Sequence, residues 1–177
     1  MLYIVFALKS EAQAFVDKYK LYKSNYGEFM MFENKNLKLI VSGMGRENAS
    51  KAAKTIIEKF SLSENDIFLN IGICGASNRY GVGELLEIGS IIYKDQKYII
   101  DTDSPHTITC VDNEIYEDLY DIADMESFGF YEATKEIKNR RIFKIVSDHF
   151  EPSIITKDGA KKVIFDKIDE IMKRIDI

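Results

Sequence analysis

Four short stretches put reactive side chains where an apolar run ends: Lys9-Ser10-Glu11, Ser42-Gly43-Met44-Gly45-Arg46, Asp124-Met125-Glu126-Ser127 and Ser147-Asp148-His149. In a sheet with parallel strands, ligands collect at such ends, because unpaired backbone N–H groups and helix dipoles point there. A carboxylate in that position accepts hydrogen bonds from two vicinal hydroxyls, activates a water, or moves a proton to a leaving group. Ser42, Gly43, Gly45 and Arg46 form a strand-to-helix turn suited to an anion, a phosphate or a ribose hydroxyl. The same spacing also describes a plain tight turn. Asn48 stands where a dinucleotide fingerprint needs its third glycine, which argues against a Rossmann site.

Each acid has a structural alternative. Glu126 either grips a pair of hydroxyls or complements the dipole of the helix it opens. Asp148 either protonates a leaving group or turns the chain. Glu11, in the first turn of the first helix, read alone is a dipole partner. His106 and His149 have neither an HxxxH spacing nor a Cys/His cluster around them, so no metal site is expected.

The elements that must position these residues follow from periodicity. Apolar runs predict strands at Leu2–Ala7, Glu28–Phe32, Leu37–Ser42, Ile67–Ile73, Ile88–Tyr93, Tyr98–Ile100, Thr107–Val111 and Ile142–Ser147. Helical spacing appears from Leu8 to Tyr19, with Ser10 and Gln13 as a capping box, and from Ala49 to Phe60. It recurs from Met125 to about Ile137 and, after the break at Pro152, from Ala160 to Ile175. Gly72-Ile73-Cys74-Gly75 reads as a turn closing its strand, and Ile115–Ala123 as a mixed segment. The alternation predicts an α/β fold: three αβα layers around a mixed, largely parallel sheet, in one domain covering 1–177.

The 177 residues carry 24 Lys and Arg against 29 Asp and Glu, a net −5 that repels nucleic acid, so no nucleic-acid partner is expected. No apolar run approaches the roughly 20 residues that cross a bilayer, so no membrane partner is expected either. Cys74 and Cys110 lie apart in apolar runs, the pattern of reduced thiols in a cytoplasmic protein.

Taken in order, the segments resemble the nucleoside phosphorylase superfamily, and within it the methylthioadenosine/S-adenosylhomocysteine nucleosidases. Ala7–Ala12 resembles the opening turn that ends in a glutamate, Val41–Gly45 the Ser-Gly-x-Gly element, and Asn70–Ala76 the Asn-Thr-Gly-x-Ala-Gly turn that contains Gly75. Gly83–Ile92 is similar to the Val-Gly-Asp-Ile-Val strand, Asp124-Met125-Glu126 to the Glu-Met-Glu ribose motif, and Ile145–Asp148 to the Ile-Ser-Asp ending.

The resemblance implies a phosphorylase/hydrolase-like fold that cleaves a purine N-glycosidic bond. Asp148, beside Ser147, would protonate the base at N7; Glu126 would hold the ribose hydroxyls with Met125 packed on the sugar; Glu11 would activate water. Asn70, where phosphorylases carry an arginine, points to hydrolysis. Phosphorolysis through Arg46 or Arg79, with phosphate as co-substrate, is one alternative, and a family member that binds a nucleoside without turning it over is another. No cofactor is implied, and a homo-oligomer, with a dimer favoured, is. The chain departs from the family pattern in four places. Lys94–Val111 replaces a long lid and helix. Ile73 stands for a serine near the water, and Lys144 for an arginine. Asn113-Glu114 replaces a segment that offers an aromatic to the base, for which Phe150 or Tyr98 would substitute.

Overall fold

The computed structural model describes residues 1–176, so residue 177 of the expected domain lies outside the described residues. The first strand, β1 (Leu2–Phe6), is buried at every position because both its faces are covered. Tyr3 and Val5 point into one apolar core, and Leu2, Ile4 and Phe6 into a second. The two-residue alternation of a strand thus divides one apolar run between two cores. The other central strands, β4 (Leu37–Val41), β5 (Ile67–Ala76) and β10 (Arg140–Asp148), divide in the same way.

One core is closed by helices α1 (Lys9–Tyr19) and α4 (Lys157–Arg174), the other by α2 (Arg46–Phe60) and α3 (Ser127–Ala133). The buried stripe of α2 is Ala49, Ala52, Ala53 and Ile56, small residues that let it lie close to the sheet. Thr156 caps α4, its Oγ1 accepting the Gly159 N–H at 2.9 Å.

The remaining strands are β2 (Tyr22–Tyr26), β3 (Phe29–Glu33), β6 (Leu85–Tyr93), β7 (Gln96–Ile99), β8 (His106–Cys110) and β9 (Ile122–Asp124). The sheet runs β10-β6-β8-β9-β5-β1-β4-β3-β2; β5 also pairs with β10, and β7 adds to β6. The extra β5–β10 pairing closes β10, β6, β8, β9 and β5 into a ring. Parallel pairs (β1–β4, β1–β5, β5–β10, β6–β8, β8–β9) are matched in number by antiparallel ones (β2–β3, β3–β4, β5–β9, β6–β7, β6–β10). The sheet is therefore mixed rather than largely parallel. Short connections enforce this: Lys94 and Asp95, both at positive φ, make a two-residue turn that folds β7 back on β6.

Several local expectations need correction. The segment Gly72-Ile73-Cys74-Gly75 does not turn; β5 continues through it to Ala76, paired with β10 on one side. Ser10 and Gln13 form no capping box, because α1 begins at Lys9 and the Gln13 amide bonds Asp17 instead. Of the stretch Ile115–Ala123, only its end joins a strand, β9. Helix α3 stops at Ala133 rather than Ile137, where the Arg140 guanidinium takes the carbonyls of Thr134, Lys135 and Ile137 at 2.8, 2.6 and 3.1 Å. Edge strand β2 was not expected from its polar sequence.

Candidate active site

The carboxyl ends of β5, β9 and β10, with the start of α1, surround a cavity of about 260 Å³, near the lower size limit of ligand pockets. Glu11, Gly75, Met125, Glu126, Ser147, Asp148 and Phe150 all line it. Three acids, one of them more than a hundred positions from the other two, thus face one space.

Glu11 reaches it by folding back over the start of its helix. One carboxylate oxygen accepts the Leu8 N–H at 2.8 Å and the other the Ile73 N–H at 2.9 Å. Gly72 makes this approach possible, since a Cβ there would lie 3.2 Å from Glu11 Oε1 and 3.4 Å from Lys144 Nζ. Glu11 and Lys144 therefore converge on the same bare stretch of β5. Burial raises the Glu11 pKa, against the pull of its backbone donors and the Lys144 ammonium.

Lys144 sits between Phe143 and Ile145 on β10 and is 1% exposed, which a lysine tolerates only with a partner. Its ammonium lies 2.7 Å from Asp124 Oδ2. Desolvation pulls the Lys144 pKa down, but Asp124, Glu126 and Glu11 together outweigh it and hold the ammonium charged. Asp124 also accepts the Ser127 N–H at 2.9 Å and the Ser127 hydroxyl at 2.6 Å. Asp124, rather than Glu126, therefore satisfies the start of α3.

That leaves Glu126 available. Its Oε1 accepts the Gly45 N–H at 2.7 Å, at the N-terminus of α2. Burial pushes the Glu126 carboxyl up to about 7, opposed by Lys144 and reinforced by Asp124.

The turn expected to cradle an external anion or a ribose thus receives the protein's own carboxylate. Ser42, Gly43, Gly45 and Arg46 do not line the cavity. Ser42 Oγ bonds the carbonyls of Phe6 and Gly43. Arg46 lies over the Tyr93 ring and within 3.8 Å of Asp112 and 3.7 Å of Glu132. Arg79 pairs with Asp121 outside the cavity, and Tyr98 packs against Phe128 and Tyr131.

Asp148 ends β10. Its Oδ1 accepts the Glu151 N–H at 2.7 Å, and its Oδ2 lies 2.6 Å from Ser147 Oγ, which is also 3.1 Å from the Cys74 carbonyl. A hydroxyl has one proton and two lone pairs. When Ser147 donates to Cys74, it can accept from a protonated Asp148; when it donates to Asp148, it stabilises the anion. The pair therefore supports either state of the acid. Phe150, at φ 63, folds its ring against Gly75, where a Cβ would lie 3.1 Å from it, and so gives the cavity a flat apolar wall.

Leu8, Met44, Ile73, Val111, Ile115 and Ile155 supply further apolar lining. The Cys74 thiol also borders the cavity, but burial pushes its pKa up, so it stays protonated and unreactive. His149 Nδ1 is 2.9 Å from the Ala76 carbonyl, and the His106 ring lies edge-on to Tyr80. Among the described residues, no group of three or more His, Cys, Asp or Glu is placed to hold a metal ion. No described helix is long and apolar enough to cross a membrane.

Sequence reasoning did not assign roles to Lys144 or Asp124. The signal was a charged residue inside Ile142-Phe143-Lys144-Ile145-Val146, a run apolar on both strand faces. A lysine there has no route to solvent and must find a carboxylate indoors.

No family model and no curated protein matches the sequence. Solved structures do match the fold. The methylthioadenosine/S-adenosylhomocysteine nucleosidase of Neisseria meningitidis, solved with methylthio-immucillin-A, superposes with a TM-score of 0.79 at 16% identity over 98% of both chains. The corresponding nucleosidase of Campylobacter jejuni gives 0.77 at 18% identity, over 98% of this chain and 97% of that one. The futalosine hydrolase of Helicobacter pylori gives 0.78 at 11% identity, over 99% and 97%. From end to end, this chain has the fold of the solved methylthioadenosine/S-adenosylhomocysteine nucleosidases.

Proposed function

We propose that the chain hydrolyses the N-glycosidic bond of a purine nucleoside or thionucleoside, the chemistry named for its structural neighbours. The observation that carries this reading is the convergence of Glu11, Glu126 and Asp148 on one cavity. Leaving of the base builds positive charge on the sugar, in an oxocarbenium-like state. Asp148 delivers a proton to N7 of the departing base, with Phe150 and Gly75 beside the ring. Glu126 accepts the ribose hydroxyls while Met125 packs on the sugar. Glu11 takes a proton from the attacking water, oriented with help from the Ile73 backbone.

Electrostatics favours water over phosphate. Among the described residues that line the cavity or bond its acids, the one cation is Lys144, already committed to Asp124, Glu11 and Glu126. That balance supports a cationic sugar and opposes an entering phosphate anion. Arg46 and Arg79, the arginines that phosphorolysis would call on, are engaged elsewhere.

On this reading the protein works without a cofactor, as one three-layer phosphorylase/hydrolase-like domain in the cytoplasm. It also pairs into a homodimer, for which the exposed Met44 and Ile154 beside the cavity offer an apolar surface. The test is a panel of purine nucleosides incubated with and without phosphate. Free base and free sugar without phosphate are expected. Sugar phosphate as the product would replace hydrolysis by phosphorolysis, and binding without release would make the protein a sensor. A monomer in light scattering at assay concentration refutes the dimer.

A further inference from the structure

One wall of the cavity has little hold of its own. Asn113, Glu114 and Ile115 line the cavity from the segment between β8 and β9. Among the described residues, the backbone from Asn113 to Tyr120 makes one hydrogen bond, and that one is local, from the Leu119 N–H to the Glu117 carbonyl at 2.8 Å. The segment is therefore a strap whose position is set at its ends. At the far end the Ser77 N–H bonds the Asp121 carbonyl at 2.9 Å, and the Asp121 carboxylate pairs with Arg79 in the open, where an ion pair contributes little. At the near end the Val111 N–H bonds the Asp124 carbonyl at 2.8 Å, and Asp112 follows, one position before the wall residues.

Asp112 faces a built socket. Arg46 is fixed by its own backbone, since its carbonyl packs so closely on α3 that a Cβ at Gly129 would lie 1.9 Å from it. Its guanidinium lies 5.3 Å over the ring of Tyr93, which is itself buried and stacked on Phe128 at 4.3 Å. The Arg46 Nε is buried and makes no hydrogen bond, a state that costs free energy until an acceptor arrives. Asp112 Oδ1 lies 3.8 Å from that Nε and accepts the Tyr93 hydroxyl at 3.4 Å. Two donors held by the core thus converge on one oxygen of the strap.

We propose that Arg46 is a positioning residue: with Tyr93 it holds Asp112, and through Asp112 it fixes the Asn113–Ile115 wall, setting the affinity for substrate rather than the rate of the chemical step. Neither Arg46 nor Asp112 lines the cavity, and Glu11, Glu126 and Asp148 stand on other elements. The kinetic part of the inference rests on the nucleoside-hydrolase reading. Because the pair is partly exposed, it shifts affinity by a few fold.

The test is a double-mutant cycle of Arg46→Met and Asp112→Asn, assayed on whichever purine nucleoside of the panel is turned over best. Methionine keeps an apolar body over Tyr93, and Asp112→Asn leaves the bond from the Gly45 N–H to Glu126 in place. Each single variant is expected to raise KM about threefold with kcat within about twofold, and the double variant to raise it no further than either alone. A wild-type KM in either single variant, or a rise to about ninefold in the double, overturns the proposal. A second readout needs no turnover. The chain has no tryptophan, so Tyr116→Trp places a single indole on the strap. Its fluorescence anisotropy is expected to fall when Arg46→Met or Asp112→Asn is added, and an unchanged anisotropy overturns the proposal. Release of no base from any nucleoside overturns the hydrolase reading instead, and the anisotropy then decides whether Arg46 holds the strap.

Discussion

Replacing Lys144 with methionine probes the centre of the site. The side chain keeps a similar length and apolar body but loses the ammonium, leaving Asp124 buried without its partner at 2.7 Å. Removing one member of a buried ion pair costs about 3–5 kcal/mol, because the other charge stays behind uncompensated. For a chain of this size each kcal/mol moves Tm by about 2–4 °C, so the expected loss is about 6–20 °C. The deficit also depends on pH in a definite direction. Lys144 lowers the carboxyl pKa values of Glu11 and Glu126, both raised by burial. Without it they rise further above their unfolded values, so the folded variant binds protons that the unfolded chain releases. Its stability relative to wild type therefore improves as pH falls from 8 toward 5. Thermal denaturation followed by circular dichroism at both pH values measures this. A Tm loss below about 3 °C at pH 8, or a loss no smaller at pH 5, refutes the buried-cluster reasoning.

Glu126, with its pKa near 7, should bind ribose hydroxyls best when ionised; KM is expected to rise about tenfold from pH 8 to pH 6, and a flat KM would rule out that role. Glu126→Gln should abolish this pH dependence along with most of the affinity. At Gly129, where α3 crosses α2, a Cβ would lie 1.9 Å from the Arg46 carbonyl oxygen. Gly129→Ala should therefore cost more than about 2 kcal/mol in urea denaturation. Gly81→Ala, whose Cβ would find its nearest neighbour at 3.9 Å, should change stability by less than about 0.5 kcal/mol.

The elements with strong apolar periodicity were legible in the sequence: β1, the Ala49-Ala52-Ala53-Ile56 stripe of α2 and the closing helix α4. What escaped was decided by contacts distant in sequence. Gly72 and Gly75 read as turn formers, yet they lie inside β5, where the missing Cβ atoms admit Glu11, Lys144 and the Phe150 ring. β2 escaped because an edge strand needs no apolar face. The three acids could be named as candidates because each ends or begins an element, and the family resemblance alone gave them roles. Their support could not be named. Pairing Lys144 with Asp124 requires knowing that β10 and β9 end around the same space. The fate of the Gly43–Gly45 turn depended on Glu126 reaching Gly45 from 81 positions away.

The central claim is a division of labour, with Asp148 serving the leaving group and Glu11 the water. It is tested by comparing a purine nucleoside with p-nitrophenyl riboside, whose leaving group departs without protonation. Asp148→Asn is expected to lose at least about a hundredfold in kcat/KM on the nucleoside and little on the nitrophenyl compound, whereas Glu11→Gln should lose on both. Equal losses for Asp148→Asn on the two substrates, with its Tm unchanged, would contradict the assignment.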